Sequence, residues 1–187
     1  MVVDQAGDQE DAGRAGVKER EVASAIEGWF RENARDLPWR ETDDSGMRNP
    51  YLALVSEFML QQTQVSRVLE KFGPFVERYP TVHALAEASE DEVLAMWSGL
   101  GYYSRAKRLH GAAKAVVHEH GGRVPSDVAS LCGLPGVGKY TAGAIASMVF
   151  GERAALVDGN VQRVFVRLHG EELALGTPAT DRWAWNK

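Results

Sequence analysis

Apolar positions recur at helical spacing along most of this chain. Val22, Ile26, Trp29 and Phe30 share one face of a helix beginning near Glu21. From Pro50 to Val65 the pattern is apolar on nearly every side (Leu52, Leu54, Val55, Phe58, Met59, Leu60), which predicts a largely buried helix. Glu57 is its only charge, and Gln61 and Gln64 fall on the same face one and two turns later. Val65, Val68, Leu69, Phe72, Phe75 and Val76 form a further amphipathic run to Tyr79. Thr81 and Ser89 have the positions of N-caps, and Glu92 three residues after Ser89 completes a capping box. A long helix follows over Arg105–His120, stopped by Gly121-Gly122. Residues 131–149 read as a helical hairpin, and Val161, Val164, Phe165 and Leu168 form a last clear helical face, with Asp158 placed to cap it. Strand signals are few, so the chain is expected to be all-α.

One segment stands outside this pattern. Residues 1–20 are Gly-, Asp-, Gln- and Ala-rich with little apolar content, and a disordered acidic tail is expected there. Residues 21–187 are then one domain, a length that supports a real core. Nothing in the chain approaches the apolar run needed to cross a membrane, and no targeting signal is visible. Cys132 is the only cysteine, which excludes an internal disulfide and a metal cluster held by several cysteines of this chain. A cytoplasmic setting is the simplest expectation.

Charge alters the picture only when it is resolved along the chain. The net charge is −5, which taken whole argues against nucleic acid. Between Gly99 and His169, however, four acidic residues face nine basic ones: Arg105, Lys107, Arg108, Lys114, Arg123, Lys139, Arg153, Arg163 and Arg167. That local excess has the form of a polyanion site, or of ordinary solvated helix faces.

The chemistry concentrates in four stretches. Leu134-Pro135-Gly136-Val137-Gly138-Lys139-Tyr140-Thr141 joins two helical patterns through a tight turn. Its glycines allow close approach to the backbone, and the second helix opens with free N–H groups, a natural phosphate site. Gly133 to Lys139 also fits a nucleotide-binding P-loop up to its last position, where Tyr140 replaces the required Ser or Thr. Glu57, a lone carboxylate among apolar residues, is either paired with a buried arginine or titrates near neutrality as a general acid or base. Gly99-Leu100-Gly101-Tyr102-Tyr103 displays aromatics on a turn near cations, as base stacking or wedging would need, or simply supplies core aromatics. Asp158 is a cap, a functional carboxylate, or both.

Taken in order, these stretches resemble the helix-hairpin-helix DNA glycosylase superfamily, and within it the adenine-removing branch. The quoted motifs are Val55-Ser56-Glu57-Phe58-Met59-Leu60-Gln61-Gln62-Thr63-Gln64-Val65, Gly99-Leu100-Gly101-Tyr102-Tyr103, Leu134-Pro135-Gly136-Val137-Gly138 and Val157-Asp158-Gly159-Asn160-Val161. The resemblance spans about Leu37 to Leu168. It implies an all-α fold with a six-helix barrel module, and removal of a flipped-out adenine lying opposite 8-oxoguanine or guanine in double-stranded DNA. Glu57 matches the acid that protonates the adenine, and Asp158 the carboxylate that stabilises the sugar cation. Tyr140 and Asn160 match residues that support these intermediates. Arg40 matches an arginine beside the adenine pocket; Gln61 lies next to Gln62, and Gln62 and Tyr102 match residues inserted into the base stack. Gly136, Gly138 and Lys139 belong to the hairpin that holds a DNA phosphate, in the family often through a monovalent cation.

Further expectations come from departures. Relatives that also nick the strand carry a lysine where this chain has Tyr140; Lys139 is one residue early, about 100° away on a helix. A monofunctional glycosylase is therefore expected, nucleoid-associated and monomeric at full length. Gly138-Lys139-Tyr140-Thr141 is shared with relatives that remove thymine or uracil from mismatches, which keeps that substrate as the alternative, beside an inactive DNA-binding fragment. The family's [4Fe–4S] cluster uses four cysteines beyond Asn160 that this chain lacks. The iron–sulfur domain is thus expected to be incomplete, leaving Val22, Ile26, Trp29 and Phe30 open to solvent and the isolated chain prone to instability or self-association.

Overall fold

A computed structural model describes residues 6–187, with side chains from Arg20 onwards. It divides into two compact units, residues 1–36 and 37–187. The first is a single helix, α1 (Ala6–Asn33). Met1–Gln5 lie outside the described residues, but the backbone from Ala6 is helical, where the sequence suggests a disordered tail. Nine of the fifteen residues from Ala6 to Arg20 are Ala, Glu, Gln, Lys or Arg, strong helix formers that outnumber the three glycines and two aspartates there. Ile26, Trp29 and Phe30 are exposed, whereas Val22, expected to be open with them, is partly buried.

The second unit begins with a single 3-10 turn (Pro38–Arg40), followed by nine helices. These are α2 (Pro50–Leu60), α3 (Val65–Arg78), α4 (Val82–Glu87), α5 (Glu90–Met96), α6 (Ser104–Glu119), α7 (Val128–Gly133), α8 (Lys139–Phe150), α9 (Gly159–Leu168) and α10 (Pro178–Trp185). The described residues contain no strand, only an isolated bridge between Thr42 and Arg48 that closes the polar loop 41–49.

α2 is the central element and packs on α3, α6 and α8. Its start is set locally. The Asn49 side chain accepts from the amides of Tyr51 (2.9 Å) and Leu52 (3.2 Å), and Pro50 occupies the first turn, where its missing N–H costs nothing. Leu54, Val55, Phe58 and Met59 are fully buried. Around them, Trp39–Phe72, Phe75–Tyr79 and Phe75–Trp97 meet edge-on, with ring centres 5.1, 5.1 and 6.0 Å apart. The capping box at Ser89 and the caps at Thr81 and Asp158 form as their spacing indicates.

The sequence pattern carries α2 through to Val65, but the helix ends at Leu60. Gln61 is the C-cap, Gln62 turns left-handed (φ 55°), and Gln64 caps α3 instead. The polar stripe expected on one helix face is therefore a turn between two helices. Its cause is non-local: Arg105 of α6 takes up the carbonyls that would otherwise be left at the end of α2.

Candidate active site and nucleic-acid interface

Glu57 is partly buried, with fully buried Val55, Phe58 and Met59 beside it on α2. No hydrogen bond or ion pair reaches its carboxylate among the described residues, so the alternative of a buried arginine partner does not hold. Burial alone pushes its pKa up from 4.5 to about 7. The side chain is thus a neutral acid over much of the range in which a free glutamate is charged.

Tyr140 is the second residue of α8, beside the turn that links α7 to α8. Its hydroxyl is pushed above the ordinary tyrosine range, first by burial and then by the negative charges of Glu57 and Asp158. Tyr140 thus lies within electrostatic reach of two further residues, Glu57 of α2 and Asp158 at the start of α9. The latter is held by its own helix. Asp158 Oδ1 accepts from the amides of Asn160 (2.9 Å) and Val161 (2.8 Å), and Oδ2 accepts from Asn160 Nδ2 at 3.0 Å. Capping and chemistry are therefore compatible roles for Asp158: the cap is what aims the carboxylate. The segment bearing it crosses α8 very closely. A Cβ at Gly143 would lie 2.1 Å from the Ala155 carbonyl oxygen.

In the hairpin turn Leu134 and Val137 are buried, and the Val137 amide donates to the Leu134 carbonyl at 3.1 Å. Gly136 and Gly138, grouped together in the sequence, differ in kind. Gly136 has φ 78°, and a Cβ there would meet Arg108 at 2.7 Å, so its glycine serves internal packing. Gly138 has nothing within 4 Å of a Cβ position and caps α8 with no side chain on its first amides. This open face has the form of an anion site. The P-loop reading fails here: such a loop follows a β-strand, and this one follows α7.

The remaining candidates lie outside this cluster. Arg40 ends the 3-10 turn, partly buried. Lys139 is exposed at the start of α8, its ammonium 5.8 Å from the Trp185 ring centre. Gln62 and Tyr102 occupy the turns after α2 and before α6, and Tyr102 is exposed. The cationic footprint is smaller than the sequence implies. Arg105 is buried, and Lys107 pairs with Glu90 at 2.7 Å. Two cavities of about 520 and 630 Å3 lie elsewhere, around Tyr51–His83–Phe150 and in the 41–49 loop, and neither includes Glu57, Tyr140 or Asp158.

Residues 55–177 match the family described as HhH-GPD superfamily base excision DNA repair protein. The chain belongs to this superfamily. It is 49% identical over 144 residues to the adenine DNA glycosylase of Homo sapiens, covering 75% of this chain and 26% of that protein. It is 47% identical over 155 residues to the adenine DNA glycosylase of Mycobacterium tuberculosis, covering 82% of this chain and 49% of that protein. The chain thus spans between about a quarter and a half of these relatives' lengths. Among solved structures, a thermostable thymine-DNA glycosylase superimposes with a TM-score of 0.78 at 32% identity, over 92% of this chain and 79% of that one. The all-α HhH-GPD architecture accounts for the arrangement of α2, the α7–α8 hairpin and α9.

An iron–sulfur cluster does not fit the residues present. Four thiolates hold such a cluster, and Cys132, exposed on α7, is the only cysteine. Among the described residues no group of three His, Cys, Asp or Glu side chains is placed to hold a metal ion. No described helix is long and apolar enough to cross a membrane.

Proposed function

We propose that this chain carries the catalytic carboxylates of a monofunctional DNA glycosylase that hydrolyses the N-glycosidic bond of adenine mispaired with 8-oxoguanine or guanine. The observation that carries the reading is Glu57, a desolvated carboxyl group without a partner, within reach of a tyrosine that also senses Asp158. Glu57 in its neutral form donates a proton to the flipped-out adenine. The glycosidic electron pair then leaves with the base, and positive charge develops on the sugar. Asp158, held by Asn160 and two backbone amides, stabilises that charge. Water adds to the sugar carbon, and its proton restores the acid. Tyr140, kept protonated by its surroundings and sensing both carboxylates, would donate a hydrogen bond to the intermediate. The exposed Gly138 turn and Lys139 would receive a backbone phosphate, with a monovalent cation as the bridge that the family resemblance suggests, and Arg40 would border the base pocket. Relatives at 46–49% identity named for adenine support that base, whereas thymine is the alternative favoured by the structural neighbour at 32%.

The test is single-turnover base release from duplexes containing 8-oxoguanine·A, G·A and G·T. Glu57→Gln is expected to lower adenine release by about 10²–10⁴-fold with duplex binding retained. Release of thymine but not adenine would favour the alternative, and an active glutamine variant would remove Glu57 from the chemistry.

A further inference from the structure

Gln62 and Tyr102 are the two non-glycine residues with positive φ among the described residues, at 55° and 47°. A left-handed side chain is strained and persists only when its surroundings impose it. The two lie 40 residues apart in sequence, yet one side chain reaches both turns. Arg105, 4% exposed on the first turn of α6, donates through Nη1 to the carbonyls of Phe58 (3.1 Å), Met59 (2.9 Å) and Gln61. Through Nη2 it donates to Thr63 Oγ1 (3.0 Å) and to the carbonyls of Leu100 (3.0 Å) and Gly101 (3.2 Å). Its guanidinium carbon lies 5.5 Å from the Trp97 ring centre and 5.4 Å from that of Tyr102. No carboxylate neutralises it among the described residues. Its charge is met by the carbonyl end of α2 and by the carbonyls of the 99–103 turn, the arrangement that suits a cation at a helix C-terminus.

We propose that Arg105 is a positioning residue that knots these two turns, so that Gln62 and Tyr102 are presented together as one preformed wedge for duplex DNA. This rests on the reading of Gln62 and Tyr102 as residues that enter the base stack. A rigid wedge needs no ordering at the moment of binding, and that saving goes to discrimination of a weakened base pair rather than to general affinity for the backbone. Lysine in place of Arg105 keeps the charge but has no planar fork, so it satisfies one turn at the expense of the other.

Two measurements separate the knot from the wedge. In the free protein, Arg105→Lys is expected to raise hydrogen exchange at the amides of Thr63 and Leu100 together, by about tenfold, with α8 and α9 unaffected. On DNA, in a Glu57→Gln background so that the base stays attached, the Kd ratio between fully paired and 8-oxoguanine·A duplexes is expected to fall about tenfold, with paired-duplex affinity unchanged. Gln62→Ala/Tyr102→Ala should produce the same fall, and adding Arg105→Lys to that pair should cost nothing more, as two parts of one device do. If Arg105→Lys does not fold, Thr63→Val removes one arm alone and should move both readouts the same way, by about threefold. An exchange increase confined to one turn overturns the knot. Equal losses on paired and mispaired DNA, or a full further loss in the double-alanine background, overturn the positioning role. A double-alanine protein that still discriminates removes the wedge itself, whatever the exchange data show for Arg105.

Discussion

Glu57 shows how one buried carboxyl group links stability to chemistry. Its pKa is raised from 4.5 to about 7 by desolvation, so the folded chain binds its proton more tightly than the unfolded chain does. The stability this contributes is fully present below the unfolded value, declines as pH rises past 4.5, and is lost as pH passes about 7. Glu57→Gln is uncharged at every pH and avoids that loss. It is therefore expected to unfold at higher denaturant than the parent at pH 8, by about 3 kcal/mol, with the difference vanishing near pH 4. Activity should decline over the same upper range, since only the neutral form donates a proton; single-turnover rates between pH 6 and 9 test this. Asn160 acts differently. Asn160→Ala removes one of three donors to Asp158 but leaves the two backbone amides that form the cap. Thermal stability should change by less than about 1 kcal/mol, while base release slows by about tenfold, as expected when an aimed carboxylate is freed on one side.

Among the elements, the crossing of the 154–158 segment over α8 sets where Asp158 sits relative to Tyr140. Gly143 permits it, since any side chain would collide with the Ala155 carbonyl at 2.1 Å. Gly143→Ala must push that strand of backbone away, and destabilisation of about 1–3 kcal/mol is expected in urea melts, with base release falling further than the stability loss explains. Gly138→Ala is the informative contrast. The position has φ −91° and open space around it, so the fold should tolerate alanine to within about 1 kcal/mol. Weaker duplex binding by that variant, with unchanged melting, would place a phosphate at the exposed turn.

On the scale of the molecule, the core is built from residues 37 onwards, running from Leu37 and Trp39 through the α2, α3, α6 and α8 side chains to Val149. A chain of residues 37–187 is therefore expected to fold by itself and to melt cooperatively within a few degrees of the 187-residue chain; calorimetry of both would show a much lower transition if α1 were needed. The exposed Ile26, Trp29 and Phe30 are expected to confer concentration-dependent association that the shorter chain lacks, measurable by sedimentation.

Helix positions, caps and the isolation of Glu57 were legible in the sequence because each depends on residues within a turn or two: Asn49 before Pro50, Ser89 before Glu92, one charge in an apolar helix. Periodicity alone overran the end of α2, since Gln61 to Gln64 are acceptable helix residues and nothing nearby stops them. What stops them is a guanidinium from more than 40 positions away, and that same residue counted in the sequence as part of a cationic surface. The role of Gly136 likewise depended on Arg108 and Phe58 lying against it. Sequence singled out the side chains that we propose carry chemistry. Only tertiary structure decided which of them meet, because the convergence of Glu57, Tyr140 and Asp158 depends on three helices packing at crossings that no local interaction specifies.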